Sequence, residues 1–149
     1  MLEIRFRRLN DLAQVPRYAR PGDAACDLVA CDGAQIPPLG RAGIGTGIAV
    51  EIPGGFAGFV LPRSGLALRH GVTLANAPGL IDSGYRGEII VALHNSDPIE
   101  PFRVSVGDRI AQLVVMAVPQ VVYIEGIALG DTERGEGGFG STGVGASRS

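Results

Sequence analysis

No tryptophan occurs among the 149 residues, and only three tyrosines and five phenylalanines do, so a buried core must be built from Val, Ile, Leu and Ala. Apolar residues still make up 46% of the chain with a mean hydropathy of +0.24, a composition that folds and is not disordered. Cysteine is nearly absent. Cys26 and Cys31 stand five positions apart in a chain long enough to fold without staples, which argues against a disulfide framework and leaves both expected reduced. Charge of one sign is also lacking: 13 basic and 15 acidic residues give a net charge of -2. Such a balance supplies no field to hold a polyanion, so nucleic acid is not an expected partner and any phosphate site must be local. Long hydrophobic runs are missing as well. The most apolar segment, LVVMAVPQVVYI at 113–124, is broken by Pro119 and Gln120 and falls short of the ~20 residues that span a bilayer. The first residues, MLEIRFRRLN, interleave charge with apolar side chains and contain no signal-peptide core. The expectation is a soluble, cytoplasmic protein with no membrane partner.

What the chain has in quantity is turn chemistry. Twenty-three glycines and ten prolines leave few windows for a helix of ordinary length. Strands fit better: GIGTGIAVEI (43–52), FAGFVLP (56–62), EIIVALHN (88–95) and RIAQLVVMAV (109–118) are short, apolar or β-branched, and bounded by turn signals. This spacing predicts one all-β sandwich or barrel domain over residues 1–130. A single short helix is expected at SGLALRH, with Ser64 as its cap, Leu66 and His70 on one face, and Gly71 as a left-handed stop. No repeat or heptad is visible. Residues 131–149, DTERGEGGFGSTGVGASRS, contain six glycines and one aromatic, Phe139, too little apolar surface to offset the entropy of ordering. They read either as a disordered terminus or as a mobile arm whose arginine, glycine amides and hydroxyls suit a phosphate and whose Phe suits a base.

Four further segments offer chemistry. PRSG at 62–65 puts an arginine and a serine at a helix mouth, which is either an ordinary cap or an anion site. LIDSGYRGE at 80–88 sets Asp82 before a Ser-Gly turn that presents Tyr85 and Arg86, which we expect to form a tight hairpin. Its carboxylate is either a turn former or a general base toward a water. GDAACDLVA at 22–30 offers Asp23 and Asp27 as carboxylates of the kind that reach magnesium together with phosphates. VGDRIAQLVV at 106–115 reads as a tight turn entering a buried strand, in which the polar Gln112 needs a partner. His70 and His94 lack the companions of a zinc site and are expected to be structural. No Walker sequence, nucleophile elbow, CxxC pair or dinucleotide fingerprint occurs.

Taken in order, these five segments resemble the five motifs of the trimeric dUTP pyrophosphatase family, from residue 22 to residue 143. The resemblance implies a jelly-roll-like β-barrel, dUTPase-like, with one short helix and a C-terminal arm. It implies a homotrimer with active sites shared between neighbouring chains. The activity implied is magnesium-dependent hydrolysis of dUTP to dUMP and pyrophosphate by water attack on the α-phosphorus, which lowers dUTP and supplies dUMP for thymidylate synthesis. By the same likeness Asp82 is the catalytic residue that orients and deprotonates the water. Asn76 and the backbone at Ile90 pair with uracil, Tyr85 packs on the deoxyribose, and Leu80 and Ile81 join them in contacting substrate. Arg63, Ser64, Gly65 and Gln112 contact the phosphates, and Asp27 reaches Mg2+ through water. Arg134, Gly140 and Ser141 of the arm close on the substrate, and Phe139 stacks on uracil. One departure is Ala25, where the family usually has glycine, which affects the backbone path to Asp27. Two other readings remain beside this one: a dCTP deaminase of the same fold, and a nucleotide-binding barrel without catalysis.

Overall fold

A computed structural model describes residues 2–137 of the chain. Ten strands and one helix follow in the order β1 (Arg5–Arg8), β2 (Cys26–Val29), β3 (Ala34–Ile36), β4 (Arg41–Glu51), β5 (Phe56–Leu61), α1 (Ser64–His70), β6 (Val72–Leu74), β7 (Gly79–Ile81), β8 (Glu88–Asn95), β9 (Phe102–Val104) and β10 (Arg109–Ala117). Two four-stranded antiparallel sheets, ordered β1-β4-β8-β6 and β2-β10-β5-β7, carry the fold, and β3 pairs with β9. This is the expected all-β, jelly-roll-like architecture. No helix among the described residues is long and apolar enough to cross a membrane.

The core is aliphatic, as the shortage of aromatics requires. Leu28, Ile36, Ile44, Ile48, Ile52, Val72, Val91, Leu93, Val104 and Ile110 are essentially inaccessible, and among the described residues no aromatic side chain is buried. Strand alternation puts them there: along β8, Ile89, Val91, Leu93 and Asn95 point inward while Ile90 and His94 point away. The four windows read as strands correspond to β4, β5, β8 and β10 within two residues at each end.

Three local expectations change. At the helix, the capping position is Arg63, whose extended backbone (φ -89°, ψ 125°) precedes the first helical residue, Ser64, and no side chain caps the helix. The stop holds: Gly71 takes φ 64° and its N–H returns to the Ala67 and Leu66 carbonyls. The segment 76–90 is not a paired hairpin. β7 pairs with β5 in one sheet and β8 with β4 and β6 in the other, so this segment crosses between sheets. What is tight is its tip, where the Tyr85 N–H donates to the Asp82 carbonyl at 3.0 Å. Finally, Gln112 is half-buried on the outer side of β10, between Asp27 and Leu61, so it is not a core residue seeking an internal partner.

Cys26 and Cys31 are both free thiols, and burial pushes each above its ordinary value. His70 stacks at a tilt on Phe102 with ring centroids 5.5 Å apart, and His94 Nδ1 lies 3.0 Å from the Gly40 carbonyl oxygen. Both histidines are structural, as expected.

Candidate active site

Two clusters carry the residues singled out in the sequence. The first lies where β2, β10 and β5 run side by side. Gln112 stands opposite Asp27 on one flank and Leu61 on the other, and Arg63 follows two residues past the end of β5. The Asp27 carboxylate is bracketed by two guanidiniums: Arg63 Nε is 3.3 Å from its Oδ1 and Arg109 Nη1 is 3.3 Å from its Oδ2. Arg63 Nη1 also donates to the Arg109 carbonyl at 2.9 Å, which ties the mouth of α1 to the start of β10. Two cations thus face one anion, leaving a positive surplus. In the first turn of α1 only Leu66 and Ala67 donate back to Arg63, so the Ser64 and Gly65 amides beside it have no intrahelical acceptor. Of the two aspartates in the first motif, only Asp27 joins this cluster. Asp23 accepts the Arg20 N–H at 2.8 Å in a local turn.

Arg109 escaped notice in the sequence. It sits in GDRIAQ, where it reads as an ordinary exposed strand residue, and only the pairing of β10 with β2 brings it to Asp27. Three positions before Gln112, it is the single charged residue of the strand window 109–118, the one signal in the sequence that sets it apart.

The second cluster is a cleft of about 150 Å³ between the two sheets, lined by Asn76, Gly79, Leu80, Ile81, Tyr85 and Ile90, with Val60 and Leu74 at its base. Its depth depends on Gly79: a Cβ there would stand 3.2 Å from that of Val60 and close the floor. The backbone of Ile90 opens into the cleft for a reason of register. Ala92 accepts the Ala75 N–H on the β6 side, and peptide groups alternate along a strand, so Ile90 turns its N–H and C=O to that same side, beyond the end of β6 at Leu74. Tyr85 forms one wall. Its hydroxyl donates to the Glu88 carbonyl at 2.9 Å, and its ring covers Gly87 so closely that a Cβ there would displace the ring. Asp82 follows β7 and is exposed. Glu88 belongs to the scaffold instead: its Oε1 accepts the Gly47 N–H at 2.7 Å.

Within one chain Asp82 and Arg63 stand toward opposite ends of β5. Ile81 pairs with Gly58 near the start of β5, whereas Arg63 lies past its end. From position 57, beside Asp82, to position 63 the extended chain covers roughly 20 Å.

This arrangement matches a known family. The dUTPase family model aligns with residues 11–143. The chain belongs to the dUTPase family. Among its relatives, a deoxyuridine 5'-triphosphate nucleotidohydrolase of Thermobifida fusca is 51% identical over 142 residues, covering 95% of this chain and 79% of the relative. One from Cutibacterium acnes is 54% identical over 132 residues, 89% and 87% of the two chains, and one from Clostridium kluyveri is 49% identical over 143 residues, 96% and 99%. A dUTPase of Staphylococcus bacteriophage 80alpha, solved with the nucleotide analogue dUpNHpp, superposes with a TM-score of 0.90 at 26% identity, over 97% of this chain and all of that one.

Of the arm residues, Arg134 is exposed and bonded within its own turn, its Nε donating to the Gly137 carbonyl at 3.0 Å. Phe139, Gly140 and Ser141 lie outside the described residues.

Proposed function

We propose that this member of the dUTPase family hydrolyses dUTP to dUMP and pyrophosphate at sites shared between subunits of a homotrimer. The observation that carries this reading is that Asp82, beside the cleft, and Arg63, in the arginine cluster, lie toward opposite ends of β5, roughly 20 Å apart along the extended chain. The cleft suits a pyrimidine: the donor and acceptor of one residue, Ile90, together with the amide of Asn76, are complementary to the edge of uracil. Tyr85, which lines the same cleft, offers a ring that in this reading packs on deoxyribose and leaves no room for a 2'-hydroxyl. The cluster of Arg63, Arg109, Ser64, Gly65 and Gln112 suits the phosphates, through guanidinium forks and free amides. Residues 121–129 favour assembly, because Val122, Tyr123, Ile124, Ile127 and Leu129 are almost fully exposed on a segment that has no strand partner among the described residues.

In this reading Asp82 accepts a proton from a water as the water's oxygen attacks the α-phosphorus, and the α–β bridging bond breaks to release pyrophosphate. The exposed carboxylate is free for this task, while the arginines offset charge on the leaving group. A divalent cation fits at one point. Asp27 Oδ1 is buried and, although Arg63 lies 3.3 Å from it, accepts no hydrogen bond. A magnesium ion that keeps its waters and takes its other ligands from phosphate would use such an acceptor. Direct coordination is not suggested, since no three carboxylate, Cys or His groups among the described residues gather around one point. When bound, the ion would neutralise phosphate charge. Residues 131–149 act in this reading as an arm over the site, with Arg134 and Ser141 on the γ-phosphate, Gly140 beside them, and Phe139 on uracil. Closure would exclude water other than the nucleophile.

A panel of dUTP, UTP, dCTP and dTTP, incubated with and without magnesium and followed by chromatography, tests the proposal. Selective magnesium-dependent formation of dUMP and pyrophosphate is expected. Release of ammonia from dCTP would assign a deaminase, and binding without any product would assign a non-catalytic barrel.

A further inference from the structure

Nothing in the reading above employs Arg86, the residue after Tyr85. Its Nη1 donates to the Ser83 carbonyl at 2.6 Å and to the Tyr85 carbonyl at 2.8 Å, so one nitrogen spans the turn that begins at Asp82. Its Nη2 lies 3.6 Å from Glu51 Oε1 at the end of β4, and the other oxygen of Glu51 is 3.8 Å from Arg5 Nη1 on β1. The turn is thereby fastened to the end of β4, an inner strand of the other sheet. By contrast, among the described residues no hydrogen bond or ion pair reaches the carboxylate of Asp82 itself. The position of that carboxylate is therefore set by the backbone of its turn, and Arg86 holds two of that backbone's carbonyls.

We infer that Arg86 is a positioning residue for the reaction, a clamp that sets the distance between Asp82 and Tyr85 and aims both at the substrate. The inference rests on the roles proposed for those two residues. The work divides unevenly within the clamp. The ion pair to Glu51 is half exposed and screened, so it contributes little energy and serves to aim the guanidinium. The bonds to the two carbonyls are charge-assisted and short, and they fix one peptide plane inside the turn, after Ser83, and one at its exit, after Tyr85. Gly87 completes the device, since the Tyr85 ring can lie against the backbone only where no Cβ intervenes. Loosening the clamp should move the acid and the ring together, slowing attack and readmitting a 2'-hydroxyl.

The test compares Arg86→Gln, Arg86→Lys and Glu51→Gln in the full chain, reading kcat and KM for dUTP, kcat/KM for UTP, and the thermal midpoint. Arg86→Gln is expected to lower kcat for dUTP by about tenfold or more, within the range for a small misplacement of a reacting group, with KM changed less. It should also reduce the preference for dUTP over UTP by a similar factor while the midpoint stays close to wild type. Arg86→Lys, which keeps a charged donor, should recover part of both losses, and Glu51→Gln should cost about threefold or less. A merely structural role would shift the midpoint without touching sugar preference. Arg86→Gln with kcat and preference within twofold of wild type overturns the inference. Should that variant fail to fold, Arg86→Lys decides in the same way, unchanged preference and kcat counting against the clamp. A wild-type chain that leaves dUTP intact would overturn the functional reading and the clamp with it, whereas an active wild type with an indifferent Arg86 overturns the clamp alone.

Discussion

Asp82 is exposed and its carboxylate is uncommitted among the described residues, so replacing it with the isosteric amide should disturb nothing but proton acceptance. Asp82→Asn is expected to bind dUTP with wild-type affinity in calorimetry and to lose two to four orders of magnitude in turnover, about the contribution of a general base. Undiminished turnover would remove Asp82 from the mechanism. The site residues divide by how they could be recognised. Asp82, Tyr85, Arg63 and Asp27 were legible as candidates because polar or aromatic residues beside turn signals have a short menu of roles and the motif order narrowed it. Arg109 was not, because its link to Asp27 depends on which strand lies beside β10. Ala25 immediately precedes β2, which delivers Asp27 to the two arginines with alanine in that position.

At the scale of elements, the irregularity in β4 rests on a single glycine. Register between β4 and β8 slips between Gly45 and Ala49, and Gly47 takes φ 65° there with Ala13 packed against it. A Cβ on Gly47 would come within 2.7 Å of the Ala13 Cβ. Gly47→Ala is therefore expected to cost at least about 1–2 kcal/mol from the left-handed conformation alone, measured by urea titration at fixed protein concentration. Wild-type stability would mean that the bulge can relax without loss. The arm is the opposite case. Deleting residues 134–149 should leave assembly size and thermal midpoint unchanged while reducing dUTP hydrolysis severely, because the deleted segment adds closure and not core. Full activity in the truncated chain would leave the arm without a function. The short helix and the crossing segment at 76–90 carry a common lesson. Local turn signals located both correctly, yet which residue caps the helix and which strands pair across the turn were decided by neighbours in space.

For the whole molecule, the separation of Asp82 from Arg63 along β5 makes a quantitative demand. If every site takes its acid from one subunit and its arginine from another, then Asp82→Asn and Arg63→Ala, each inactive alone, should complement when unfolded together, mixed in equal amounts and reassembled. Random mixing leaves about one quarter of sites intact. A mixture as inactive as its parents would place both residues in one subunit's site. Light scattering should report the mass of three chains for wild type and for both variants.

The sequence by itself determined the aliphatic core, the all-β class, the four long strands, the glycine that ends the helix and the family to which the chain belongs. These are properties of composition, of a two-residue period and of a few backbone angles that only glycine tolerates, all of which are written locally. Tertiary structure alone decided that the segment at 76–90 joins two sheets, that Arg109 shares Asp27 with Arg63, and that Arg86 backs the turn of Asp82. The reason is physical. A guanidinium reaches several ångströms and finds its partner through strand order and register, which arise from burying the whole aliphatic set at once and leave no trace in the spacing of the residues concerned.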